Sequence, residues 1–483
     1  MGEKFYLTTA IDYVNAKPHL GHAYEKICSD VIARWHRLRG DDVFFLTGTD
    51  ENAQKNEQAA KSAKTDTKSF VEKNSRIFQK LCRVLDISND YFIRTTDPKH
   101  FKVSQDIFRK VYKKGDIYKG FYEGYYCSGC EAFLTEKNLN KGRCPEHGTK
   151  PEWLKEESYF FKMSKYQSEI LNLLSQKGFV LPDSRRVEML NRIKDEGLKD
   201  ISVSRINLDW GIPVPFDKKH RIYVWFDALI NYVSALDYPG RKYRRYWPAN
   251  VHIIGKGINW FHTVIWPSML LSLGIPVPKS VFVHGYVNIR GRKMSKSAGD
   301  VVDPIELSEK YGSDAVRYFI VRDIPFGQDG EFSEEALKAR INGELLSDLG
   351  NLTSRVLTLS QKCKTFRGKP ELDKKLDFGK IDKLMLDYDL HTALNEVWNF
   401  IRAVNKYIND KEPWKLQGKD LENVIYNLLE SLRIIAILIE PFIPETAEKI
   451  NKQLGVKAGN VKGIRFGKFN GKPVRGEHLF SKV

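Results

Sequence analysis

The chain is poor in what would take it out of the ordinary interior of a cell. No stretch approaches the roughly 20 consecutive apolar residues of a membrane span, and Met1-Gly2-Glu3-Lys4 runs straight into a strand-like segment with no signal peptide. Tyr6 stands where a myristoylation signal needs Ser or Thr. Internal repeats and low-complexity tracts are absent. Cysteine is scarce, at six in 483 residues. Cys28, Cys82 and Cys363 are isolated and read as small buried apolar residues. The composition fits a cytoplasmic protein without a membrane association, and the length suggests about three domains.

Positive charge, in contrast, is in excess. The formal net charge is +17, and from Val461 to the end six Lys or Arg face only Glu477. Arg241, Lys242, Arg244 and Arg245 form a second cluster. Such surface attracts phosphate backbones through counterion release, although charge alone sets only non-specific binding.

The remaining cysteines fall into a pattern. Cys127-x2-Cys130 and Cys144-x2-His147 are two close pairs that supply three thiolates and one imidazole. That spacing predicts a tetrahedral structural Zn²⁺ with a closed shell. Disulfides are the alternative, and they would leave His147 without a role.

Residues 5–11, rich in aromatic and β-branched types, predict a strand. A loop with Pro18 leads to a helix over about 23–39, closed by Gly40. A second short strand spans 43–46 and runs into Gly48-Thr49-Asp50. This βαβ unit implies a doubly wound parallel sheet, whose ligands bind at the carboxyl ends of the strands. The rhythm breaks over 116–215, which reads as an insertion. It resumes with strands at 222–226, 251–254 and 281–283 and a helix from about Ile258. Helical periodicity dominates after residue 333, with long amphipathic runs over 335–363 and 423–438. The expected division is 1–115 and 216–335 for the Rossmann catalytic halves, 116–215 for the insertion, 336–460 for an all-α bundle, and 461–483 for a basic hairpin folded back.

Two segments carry phosphate chemistry. In His19-Leu20-Gly21-His22, two imidazoles flank a glycine at a predicted helix start, where free N–H groups and the helix dipole favour an anion. Taken alone, such a tetrapeptide also fits an idle loop. Lys293-Met294-Ser295-Lys296-Ser297 follows the last predicted strand, with lysines to neutralise a polyphosphate and small neighbours that let a loop move. The two occur in this order, with residues 23–292 between them.

Together these segments resemble the paired signatures of class I aminoacyl-tRNA synthetases. The surrounding residues resemble the methionyl-tRNA synthetases over nearly the whole chain: Asp12-Tyr13-Val14-Asn15, Gly48-Thr49-Asp50-Glu51, Tyr223-Val224-Trp225-Phe226-Asp227-Ala228, Phe261-His262 and Trp266-Pro267. The insertion is shorter than the editing domains of the isoleucine, valine and leucine enzymes. The resemblance implies an ATP-dependent ligase that forms methionyl-adenylate, with Mg²⁺ accompanying ATP, and transfers methionine to tRNA(Met). It assigns catalysis to His19, His22, Lys293 and Lys296, and ATP binding to these four with Gly21 and Ser295. It assigns methionine to Ala10, Ile11, Tyr13, Asp50, Trp225, Ala228, Leu229, Tyr232, Ile258, His262 and Trp266, with Asp50 receiving the ammonium and Tyr13, Tyr232 and His262 near the sulfur. Aromatic faces suit a thioether.

One departure stands out. Many relatives carry an acidic residue after Gly255-Lys256, where an acid would bond a ribose hydroxyl, and this chain has Gly257. The resemblance further implies that the zinc-bearing insertion helps hold the tRNA acceptor end. Asn351, Arg355 and Trp414 would read the anticodon by edge hydrogen bonds and stacking. No further module follows Val483, which favours a monomer. A catalytically silent tRNA-binding relative and a nucleotidyltransferase without tRNA remain the competing readings.

Overall fold

The computed structural model describes every residue except Met1, Cys130, Glu131, Thr135, Lys137, Asn138, His147, Asn207, Arg290, Gly291 and 294–300. Its centre is a seven-stranded parallel sheet. In spatial order the strands are Asp12–Tyr13, Asp42–Asp50, Lys4–Thr9, Val251–Gly255, Val281–His284 and Val180–Leu181, with Tyr91–Arg94 also paired to Asp42–Asp50. The chain moves outward on one side of Lys4–Thr9 and later returns to its other side through Val251–Gly255. The order therefore reverses between these two neighbours, which is where a doubly wound sheet opens a crevice for ligand.

The first helix starts earlier than the hydrophobic pattern predicts, at Leu20 rather than Ala23, and ends at Arg39. The reason lies in its cap. His19 Nδ1 accepts from the Gly21 N–H at 3.1 Å, and His22 Nδ1 accepts from the His19 N–H at 3.0 Å. Two imidazoles thus form a reciprocal capping box, a role usually taken by Ser or Thr with Glu. Gly40 closes the far end with φ 92°, a left-handed conformation glycine adopts without Cβ strain.

Several expectations need correction. The segment 222–226 is not a strand: Asp217–Ile222 ends there, and Val224–Ser234 is a buried helix. Its apolar run is continuous because the helix is enclosed on all sides, which periodicity cannot distinguish from a buried strand. The second strand is longer than predicted, Asp42–Asp50. The insertion 116–215 is built on a long antiparallel pair, Ile117–Cys127 with Glu152–Phe161. It also contributes Val180–Leu181 to the edge of the central sheet.

Beyond the sheet, helices dominate: Glu334–Arg340 continues through Asn351–Ser360, followed by Phe378–Leu386, Leu390–Lys411, Gly418–Ile439 and Pro444–Leu454. The bundle core includes the fully buried Trp398, packed on Tyr318 at 4.4 Å between ring centroids. Residues 461–483 fold back onto it without any strand. The Val474 N–H donates to the Gln453 carbonyl, and Asn342 holds Val483. A tail punctuated by Gly467, Gly471, Pro473 and Gly476 has no alternating pattern from which to build a hairpin. Arg317 joins the two halves. Its buried guanidinium meets Asp30 at 2.7 Å and donates to the carbonyls of Leu85, Pro441 and Phe442. Among the described residues, no helix is long and apolar enough to cross a membrane.

Candidate active site

A cleft of about 670 Å³ opens at the reversal point. The strand Lys4–Thr9 delivers Ala10 and Ile11 to it, Val251–Gly255 delivers Gly255, Gly257 and Ile258, and Val281–His284 delivers His284, Gly285 and Tyr286. Asp12, Tyr13, Asn15, Ala16, Lys17, His19, Gly21, His22, Glu25, Trp225, Val287 and Val301 complete the wall.

The capping box sets the chemistry at one end. Because each Nδ1 accepts a backbone N–H, each neutral ring must carry its proton on Nε2. The rings lie 3.8 Å apart between centroids. The expected free main-chain N–H groups are already taken at this helix start, Leu20 by the Val302 carbonyl, Gly21 by the His19 ring and His22 and Ala23 by the His19 carbonyl. That leaves the imidazole pair and the dipole of a 20-residue helix for an anion. A polyphosphate is the natural guest. Behind them lies a buried set of charges. His22 Nε2 is 3.9 Å from Asp12, and Asp12 is bonded to the fully buried Lys26. Burial works against charging Lys26, but the Asp12 and Glu25 carboxylates beside it prevail and raise its pKa above the usual lysine value. Glu25 Oε2 meets His284 Nε2 at 3.0 Å, and burial pushes the Glu25 carboxyl up. Its Oε1 is buried with no hydrogen-bond partner among the described residues, leaving an acceptor at the cleft wall.

Residues 290, 291 and 294–300 lie outside the described residues, Ser295 and Lys296 among them. Their flanks are inside. Arg292–Lys293 pairs with Val287–Ile289, Val287 and Val301 line the cleft, and the Leu20 N–H donates to the Val302 carbonyl. The described flanks of the lysine segment thus lie by the cleft, and Val302 adjoins the start of the histidine-capped helix.

At the apolar end the expected methionine residues divide into two groups. Ala10, Ile11, Tyr13, Trp225 and Ile258 line the cleft. Asp50, Ala228, Leu229, Tyr232, His262 and Trp266 are buried and lie outside its lining. Trp225 links the two groups, stacked on Phe261 at 3.7 Å and edge-on to Tyr13 and His262. His262 Nδ1 donates to the Ile258 carbonyl at 3.0 Å, so its Nε2 accepts from the Tyr232 hydroxyl at 2.7 Å. Burial lowers the His262 pKa to about 4, keeping the ring neutral. Asp50 ends its strand in register with Tyr13. The next turn is fixed by Asn52, which bonds Asp227, itself held by His100 at 2.6 Å, and by Glu51, clamped by Arg94 at 2.7 and 2.9 Å.

Elsewhere, Cys127 and Cys144 are buried around Thr149, with a Cys127 Sγ to Thr149 Oγ1 separation of 3.8 Å and a Cys144 N–H to Thr149 carbonyl bond of 2.8 Å. Cys130 and His147 lie outside the described residues. In the bundle, Asn351 is exposed. Arg355 donates to Asn409 near the end of Leu390–Lys411, and Trp414, just beyond that helix, is 50% exposed. The Arg241–Arg245 cluster is partly structural. Arg245 pairs with Asp42, and Lys242 sits 3.9 Å over the Phe44 ring.

Sequence reasoning missed Asp12, Glu25, His284 and Tyr286. Glu25 had a signal, since it lies one turn beyond His22 on the helix face that opens to the cleft. His284 and Tyr286 became visible only through the pairing of their strand with Val251–Gly255.

Residues 5–150 and 143–357 match the family model "tRNA synthetases class I (M)", and residues 378–466 match "Anticodon-binding domain of tRNA ligase". The methionine–tRNA ligase of Caldanaerobacter subterraneus subsp. tengcongensis is 46% identical, over 100% of this chain and 79% of its own length. That of Brucella suis is also 46% identical, over 94% of this chain and 92% of its own length. Among solved structures, Mycobacterium tuberculosis methionyl-tRNA synthetase in complex with methionyl-adenylate superposes with a TM-score of 0.94 at 39% identity, covering 99% of both chains. The chain belongs to the methionyl-tRNA synthetase family of class I, with a mostly parallel catalytic sheet and a helical anticodon-binding domain.

Proposed function

We propose that this chain couples ATP and L-methionine into methionyl-adenylate and then charges tRNA(Met). The supporting observation is a single cleft with imidazole donors on a helix start at one end and a thioether-compatible aromatic wall at the other. In the first step a methionine carboxylate oxygen forms a bond to the α-phosphorus of ATP, and the bond to the pyrophosphate oxygen breaks. In the second a ribose hydroxyl of the tRNA end attacks the methionyl carbonyl and AMP leaves. No covalent enzyme intermediate is needed. Positioning and stabilisation of developing charge supply the rate.

In this reading His19 and His22 donate from Nε2 to the triphosphate, with Gly21 keeping the approach clear. Lys293, Ser295 and Lys296 bind and stabilise the leaving pyrophosphate, and Mg²⁺ accompanying ATP would supply further positive charge there. Asp50 receives the substrate ammonium. Ala10, Ile11, Tyr13, Trp225 and Ile258 form the near wall for methionine, and the buried Ala228, Leu229, Tyr232, His262 and Trp266 the deeper side of its slot. Cys127, Cys130, Cys144 and His147 would hold a structural Zn²⁺. The thiol-rich donor set suits that ion, and the two buried cysteines converge on Thr149. Asn351, Arg355 and Trp414 would meet the anticodon, and residues 116–215 the acceptor end. The working assembly is a monomer in the cytoplasm.

Exchange of labelled pyrophosphate into ATP, run with each of the twenty amino acids, tests this directly. Exchange with methionine alone is the expected result. Exchange with none would leave a binding-only relative, and exchange with leucine or cysteine would overturn the methionine assignment. Charging of initiator and elongator tRNA(Met) tests the second step.

A further inference from the structure

Gly257 sits in the turn Lys256–Ile258, directly after the strand Val251–Gly255. Tyr286 follows the neighbouring strand Val281–His284, where Gly255 and His284 are register partners. A Cβ added to Gly257 would lie 2.5 Å from Tyr286 Oη and 3.7 Å from Tyr286 Cζ. The phenol oxygen therefore occupies the space a side chain at 257 would need. It is not an idle rotamer. The Tyr286 N–H donates to Asp329 Oδ1 at 2.8 Å, and Lys256 pairs with the same carboxylate at 2.6 Å while lying 4.5 Å from the centre of the tyrosine ring. Gly257 and Tyr286 both face the cleft.

We propose that the Tyr286 hydroxyl, admitted by the bare Cα of Gly257, hydrogen-bonds a ribose hydroxyl of ATP. The inference deepens the reading of the cleft as an ATP site and rests on it. Its chemistry follows from position. The imidazole donors and the helix start take the phosphates, and Ala10, Trp225 and Ile258 take the amino acid. Gly257 adjoins Ile258, so the phenol stands on the strand exits between the aminoacyl wall and the loop flanks Val287 and Val301. A hydroxyl both donates and accepts without bringing charge, which suits a vicinal diol better than a phosphate.

The test is methionine-dependent pyrophosphate exchange with wild type, Tyr286→Phe, Gly257→Ala and the double variant, using ATP, 2′-deoxy-ATP and 3′-deoxy-ATP. Loss of one such hydrogen bond in Tyr286→Phe is expected to raise the KM for ATP roughly threefold to tenfold. The KM for methionine should stay unchanged, and discrimination against one of the two deoxynucleotides should disappear. Gly257→Ala should do the same in wild type, since its methyl group displaces the phenol. In the Tyr286→Phe background it should add nothing, because the nearest ring atom would then lie at ordinary contact distance. A Tyr286→Phe enzyme with wild-type ATP affinity and wild-type deoxynucleotide discrimination overturns the proposal. So does a Gly257→Ala defect of equal size in both backgrounds. Absence of exchange in wild type would instead remove the ATP-site reading, and this contact with it.

Discussion

Replacing Arg317 with methionine should separate the two halves of this enzyme energetically before it harms the chemistry. The guanidinium is fully buried and meets Asp30 Oδ2 at 2.7 Å. It also donates to the main-chain carbonyls of Leu85, Pro441 and Phe442 at 2.9, 2.7 and 2.9 Å, and to that of Asp86 at 3.5 Å. Burial alone would push the Asp30 carboxyl up, yet Arg317, Arg34 and the Ser88 hydrogen bonds outweigh it and leave the pKa below the usual carboxylate range. Methionine keeps much of the side-chain stem but no donor. Removing one partner of a buried ion pair typically costs about 3–5 kcal/mol. Arg34 stays on Asp30 at 2.7 Å and holds the loss within that range. Calorimetry should show a midpoint lowered by several degrees. Well below that midpoint, methionine-dependent exchange should persist, because no cleft residue has changed. Charging of tRNA should fall roughly tenfold or more, since a small displacement of the bundle spoils the alignment of acceptor end and active site. A variant with a wild-type midpoint and a wild-type ratio of charging to exchange would refute the reasoning.

Other outcomes can be checked independently. Trp414→Ala should lower kcat/KM for tRNA charging by roughly 5-fold to 150-fold, the worth of one base stack, with exchange untouched; loss of exchange as well would make Trp414 structural. Lys296→Ala should slow exchange by roughly 10²–10³, the cost of a lost charge-stabilising donor, without changing the KM for methionine. Cys127→Ser should abolish stoichiometric zinc measured by atomic emission, and full metal content in that variant would reassign the ligands. His262 has a folded pKa of about 4 against an ordinary 6.5, so the unfolded chain binds its proton first as pH falls. The stability it contributes is complete above pH 6.5 and drains away towards pH 4, by roughly 3 kcal/mol in all. His262→Gln should flatten urea-unfolding stability across that window, and an unchanged slope would show that the ring is not held neutral.

What could be read from the chain alone followed from local rules. The strand expected at 5–11 and found at Lys4–Thr9, the helix closed by Gly40, the parallel architecture and the long helices of the bundle are short-range patterns of period and punctuation. The phosphate segments and the cysteine–histidine pairs are likewise spacings within a few residues. Tertiary structure decided the rest, because it depends on which distant segments become neighbours. The run 222–226 leaves a strand at Ile222 and enters a helix at Val224 whose faces are all buried, a division that its continuous apolar pattern does not mark. Val180–Leu181 belongs to the catalytic sheet only through its partner Val281–His284. Which nitrogen each histidine of the pair presents follows from a reciprocal cap that no periodicity reveals. Glycine at 257 reads in sequence as a missing acid; in the fold it is the gap that a tyrosine 29 positions later fills, because parallel pairing sets the two strand exits side by side.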